Sequence, residues 1–155
     1  MAVQQHDAVE REVRIAARPE TVFEFLVDPE KAARWMGRRA ELEPRPGGVY
    51  RVELNEQATA SGRYVEVDPP RRVVFTWGWE GQEPGGGEHA VPPGSSRVEI
   101  SLEADGDGTL VRLRHLDLPV EAREIHGQGW DLYLPRLATA AAGGDPGPDP
   151  NAPAD

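Results

Sequence analysis

Near the start of the chain, apolar and charged positions alternate. Val9, Val13 and Ile15, with Arg11 among them, share one set of positions, and Glu10, Glu12 and Arg14 hold the other. A two-residue period predicts a strand with one buried face. The period then lengthens. Pro19 opens a helix running to about residue 27, because Val22, Phe23, Leu26 and Val27 fall on one stripe of a helical turn. Asp28-Pro29 breaks that helix, and Asp28 can cap a second short one that carries Trp35 and Met36 and stops at Gly37.

Alternation returns over residues 40–43, 49–54, 61–67, 72–79, 97–103 and 111–115. The breaks between these strands are rich in Pro, Gly and Asp, as turns require. Aligning the apolar sets of the last two strands places Glu99 opposite Arg112 or Arg114, which makes their outer face a consistent solvated surface. From Pro119 to about residue 142 the helical period reappears: Trp130, Leu134, Leu137 and Ala141 form a stripe suited to lie on a sheet. Pro135 falls inside that helix and predicts a kink, since it removes the bond to the Asp131 carbonyl. The order is strand, two helices, six strands, long helix. It predicts an α+β fold in which a curved antiparallel sheet of about seven strands covers a long C-terminal helix.

A chain of 155 residues, 38% of them hydrophobic, suffices for one domain with a real core and not for two. The expected division is a flexible N-terminus over 1–7, one domain over 8–142, and a disordered Pro/Gly/Asp-rich tail over 143–155 with nothing to bury, so that its deletion leaves the melting temperature unchanged. The net charge of −10 disfavours nucleic acid and anionic membranes as partners. Absence of cysteine excludes disulfides, thiolate metal sites and Cys nucleophiles. No signal-peptide pattern appears in the first residues, and a cytoplasmic location is expected.

Several pieces then stand in a telling order. They are the strand–helix junction over 13–23, Trp35 ending the second helix, Arg45-Pro46-Gly47-Gly48, the segment 62–72, Thr76-Trp77, and His126-Gly127-Gln128-Gly129-Trp130 followed by Leu134 and Leu137. With these, residues 9–140 resemble the C-terminal-domain-like branch of the heat-shock-protein-90 ATPase activator family. That branch belongs to the START, polyketide-cyclase and birch-allergen superfamily, SRPBCC. The resemblance implies the helix-grip fold and a cavity between sheet and long helix, on a frame that carries binders, cyclases and chaperone regulators. Pro135 and the long loop over 80–95 depart from the pattern, and both would alter the cavity mouth. The two-domain chaperone activators also carry a separate N-terminal domain for which this chain has no room.

Topology gathers the candidate chemistry. The strand ending at Trp79, the one starting near Ser96 and the one ending at His115 run antiparallel in succession, so their ends share one sheet edge, with His126 close by. Trp77, Trp79, His115, His126, Trp130 and Tyr133 are therefore candidate ligand-binding residues. Trp77 and Trp130 also fit plain core, and His115, beside Val111 and Leu113, also fits a satisfied buried imidazole. Arg11 is the charge best placed to turn inward, although a strand-end residue snorkelling to solvent is commoner. The leading expectation is a binding protein for an apolar or aromatic small molecule. The alternative is a cyclase or aromatase with His115 or His126 as proton carrier, and the third is a protein–protein regulator. His115 and His126 with Asp117 or Glu124 lack tight ligand spacing, so neither a metal nor another cofactor is expected.

Overall fold

The computed structural model describes residues 8–81 and 91–152. Strand β1 (Val9–Ile15) buries Val9 and Ile15 and exposes Glu10, Glu12 and Arg14. Helix α1 (Pro19–Val27) takes Pro19 in its first turn, where a missing N–H costs nothing. Asp28 closes α1 and opens α2 (Pro29–Trp35), its carboxylate accepting from the Glu30 N–H at 2.9 Å.

The remaining strands are β2 (Arg39–Leu42), β3 (Val49–Glu53), β4 (Ala58–Asp68), β5 (Arg72–Trp77), β6 (Trp79–Gly81), β7 (Ser96–Asp105) and β8 (Gly108–Leu116). They form one antiparallel sheet in the order β1-β8-β7-β5-β4-β3-β2, with β6 paired to β4. The described residues form eight strands because the run expected over 72–79 divides at Gly78. A Cβ there would sit 1.7 Å from the Pro92 carbonyl oxygen, so only glycine lets residues 91–92 pass over the strand. The backbone groups at the break are still satisfied: the Gly78 carbonyl accepts from the Ser61 N–H, and the Trp79 N–H donates to the Val91 carbonyl.

On the outer face Glu99 lies opposite Arg114, as the alternation required. Arg114 also reaches Glu10 on β1, and Arg112 bridges Glu12 and Glu103. Exposed pairs of this kind are worth little singly. Their value here is to set the register that turns Val98, Ile100, Val111, Leu113 and His115 inward.

A 3₁₀ turn (Val120–Ala122) leads into α3 (Arg123–Ala141), which lays His126, Trp130, Tyr133, Leu134 and Leu137 on the concave face. Helix α3 runs on through Pro135. That residue and Asp131 are both on the exposed side, where water can satisfy the carbonyl the proline leaves unpaired. Among the described residues no helix is long and apolar enough to cross a membrane.

The C-terminal segment differs from expectation. Residues 143–152 fold back along α3 rather than hanging free. Arg136 donates to the carbonyls of Pro146, Gly147 and Pro148 and to that of Trp35. Asp149 is only 7% exposed; it accepts from the Tyr133 hydroxyl at 3.0 Å and from the Gly37 N–H at 2.8 Å. Asn55 ties down the Asn151 carbonyl. The segment has no apolar anchor because hydrogen bonds hold it.

Candidate functional site

Between α3 and the sheet lies a cavity of about 230 Å³. Trp77 and Trp79 supply its sheet wall, Leu54 and Met36 approach from β3 and α2, and α3 contributes Ile125, His126, Gly129, Trp130, Leu132 and Tyr133. Asn151 of the returning segment stands at the mouth with Gln128. Of the six residues chosen from sequence, five line this space. His115 stands behind the wall.

The position of His115 is defined by a hydrogen-bond chain. The Trp130 indole N–H donates to His115 Nδ1 at 3.1 Å, and His115 Nε2 lies 2.8 Å from Ser96 Oγ, which donates to the Trp77 carbonyl at 2.7 Å. An indole only donates and a carbonyl only accepts. The proton on His115 must therefore sit on Nε2, pointing at Ser96. A second proton on Nδ1 would face the Trp130 N–H head on. Burial, with a contribution from nearby His126, accordingly pulls the His115 pKa down to about 3. His115 is a neutral strut that orients Trp130.

His126 is built the opposite way. Its Nδ1 lies 2.8 Å from the Ala122 carbonyl and must carry the proton, while Nε2 accepts from the Trp79 indole at 3.0 Å. The two imidazoles meet edge to face at 5.3 Å. Each fixes one tryptophan. Trp77 packs between them, its ring 5.3 Å from Trp79, 5.4 Å from Trp130 and 5.9 Å from His115, and its buried Nε1 has no hydrogen-bond partner. Tyr133 gives its hydroxyl proton to Asp149 and accepts from Asn151; burial first, and then Asp149, raise its pKa well above the ordinary phenol value.

The wall thus presents a mostly apolar face, although it includes His126, Tyr133 and three indoles. His126 and the His115 behind it, two of the indoles and the phenol are already engaged, with one another, with backbone or with the side chains of Ser96, Asp149 and Asn151. Arg11 stays outside: it crosses α3 to Asp131 at 2.6 Å, with its Nη2 2.7 Å from where a Gly127 Cβ would stand. Among the described residues no three His, Cys, Asp or Glu side chains gather as a metal centre would require. Glu124 instead accepts from Gln128 one turn along the helix.

Sequence reasoning missed Met36, Leu54, Ile125, Gln128, Gly129, Leu132 and Asn151 as lining residues. Ile125, Gly129 and Leu132 are spaced by four and three and form a second α3 stripe beside that of Trp130, a signal that could have been followed. Trp79 sits deeper than a strand-end rim residue should, only 7% exposed, so its truncation also costs fold stability.

A curved antiparallel sheet closed over a long C-terminal helix, with two short helices after the first strand, places the molecule in the SRPBCC helix-grip class. Within that class, the chain belongs to the Activator of Hsp90 ATPase homolog 1-like protein family, matching it over residues 16–142. An AHSA1-like protein from Rhizobium etli is 49% identical, with a TM-score of 0.70 over 92% of this chain and 86% of that one. CalU16 from Micromonospora echinospora is 26% identical, with a TM-score of 0.69 over 88% of this chain and 76% of its own. The Aha1 dimer from Colwellia psychrerythraea shares the fold at 19% identity, with a TM-score of 0.71 over 88% and 97% of the two chains. No curated protein sequence matches the chain.

Proposed function

We propose that the protein binds a small, uncharged aromatic molecule between α3 and the sheet. The observation that carries this reading is the wall itself: three indoles and a phenol frame about 230 Å³, with the imidazoles already engaged. An apolar cavity of about 150 Å³ is known to accept benzene, so the space here suits one substituted ring or two fused rings. Binding rather than proton transfer is the reading the imidazoles favour. Both nitrogens of His115 and of His126 have partners, and a general base needs a free lone pair within reach of its substrate.

The test is titration with 2-naphthol. Saturable change in tryptophan fluorescence is expected, with a stability gain of roughly 2.7 kcal/mol at a hundredfold excess over the dissociation constant. Gly129→Leu supplies the control. A Cβ at Gly129 meets nothing within 4 Å, so leucine should occupy the cavity and abolish the response without unfolding the helix. A flat response to 2-naphthol and to a diverse set of aromatic compounds would refute the reading and leave protein–protein regulation in its place.

A further inference from the structure

A second, smaller void of about 10 Å³ lies deeper in the core, lined by Phe25, Leu42, Tyr50, Phe75 and Ile100 among others. Its lining is aliphatic and aromatic, and its volume is at the lower limit of what could hold a water, about 10–15 Å³. Two residues line both this void and the main cavity: Met36 and Trp130. They are the partition between the two spaces.

The two halves of the partition differ in freedom. Trp130 is pinned through its indole N–H to His115, which is pinned in turn to Ser96. Met36 has a fixed backbone and an unanchored side chain. Its own N–H bonds the Ala32 carbonyl, the carbonyl just before it accepts from Arg136, and the N–H just after it donates to Asp149. Nothing polar holds the thioether, and three rotatable bonds allow it to repack without moving the chain. Beyond it the second void is lined by Tyr50 and Phe75, which stack on each other at 3.9 Å and 13°.

We propose that Met36 sets the ligand length the cavity accepts: its side chain is a movable end wall, and swinging it aside extends the site toward the Tyr50–Phe75 stack. This rests on the aromatic-binding reading above. One- and two-ring compounds fit with Met36 in place. A linear three-ring compound enters only by displacing the side chain, and Met36 therefore discriminates between the two sizes.

Two probes and two variants test this, with 2-naphthol as the two-ring compound and 2-hydroxyanthracene as the three-ring one. Met36→Ala removes the end wall, and the affinity for the three-ring probe relative to that for 2-naphthol should rise at least about tenfold. Met36→Leu conserves volume and should fold normally, but its branched side chain is stiffer; here the affinity for the three-ring probe relative to that for 2-naphthol should fall about tenfold. Thermal melts of both variants establish that they are folded. If 2-naphthol binds the wild type but both variants shift the two probes alike, Met36 is an ordinary wall residue and the inference is overturned while the binding reading stands. If the wild type binds neither probe, the binding reading itself fails and takes this inference with it.

Discussion

Replacing Asp149 by alanine tests whether the returning C-terminal segment is part of the fold. The carboxylate accepts hydrogen bonds from the Tyr133 hydroxyl, the Gly37 N–H and the Asn151 N–H. Asn151 is exposed and exchanges its bond for water at little loss. The other two donors lie beneath the segment. If they stay buried without an acceptor, each costs about 1–3 kcal/mol; if the segment lifts and water reaches them, the loss is the net worth of two bonds to a charged group, again about 1.5–3 kcal/mol each. Because the molecule will follow the cheaper path, we expect a total of roughly 2–4 kcal/mol. At about 2–4 °C per kcal/mol for a chain of this size, the melting temperature should fall by roughly 5–15 °C. Ending the chain after Ala142 should cost at least as much, because Arg136 then also loses the carbonyls of residues 146–148. Tyr133→Phe should cost less, and combining it with Asp149→Ala should add little further, since both remove the same bond. Calorimetry of the four proteins decides the matter. Unchanged melting in both the alanine variant and the shortened chain would show that the segment is not held and that the hydrogen-bond reasoning fails.

Trp77→Phe and Trp130→Phe delete the same atoms from neighbouring rings, but only Trp130 has a bonded indole N–H; urea unfolding should find Trp130→Phe costlier by about 1–3 kcal/mol, and equal losses would refute the His115 chain. The folded-state pKa of His115, about 3, lies below that of the unfolded chain. The unfolded state thus takes up a proton that the folded state refuses: the contribution is complete above about pH 6.5 and is lost as pH falls toward 3, at up to roughly 1.4 kcal/mol per unit. Relative to His115→Gln, wild-type stability should decline over that window, and parallel profiles would contradict it. Imidazole ¹⁵N shifts should report opposite neutral tautomers, Nε2–H for His115 and Nδ1–H for His126; a shared tautomer would break one of the two chains. Gly129→Ala, with open space around the new methyl, should stabilise the protein by up to about 1 kcal/mol in the same unfolding assay, and a loss would place Gly129 in a close contact.

The fold was legible because its elements announce themselves by period. The run from Val73 to Trp79 alternates so regularly that it reads as one strand. Its division at Gly78 depends on residues 91–92 crossing over it, a contact between segments that no local pattern encodes. Pro135 is a local mark of a break in the helical ladder, and at its exposed position the helix continues through it. Stretches 1–7 and 82–90, where a flexible start and most of a long loop were expected, lie outside the described residues.

The cavity lining was legible in part, and its hydrogen bonds were not. Trp77, Trp79, His126, Trp130 and Tyr133 were found because strand ends and one helix stripe converge on a single edge. Composition cannot say which nitrogen of an imidazole faces an indole and which a carbonyl, and that geometry engages both nitrogens of His115, with Trp130 and with Ser96. The C-terminal segment was misjudged for a related reason. Residues 143–155 were scored by their lack of apolar anchors, the usual sign of a chain unable to offset its ordering entropy. Yet Pro146, Pro148 and Pro150 leave that chain few unfolded conformations to lose. Docking it then needs only modest gains, which Arg136, Tyr133 and Gly37 supply through backbone carbonyls and one carboxylate. The prolines that make the segment look disordered are what make its ordering inexpensive, and Asp149 between two of them is the residue whose removal should show it.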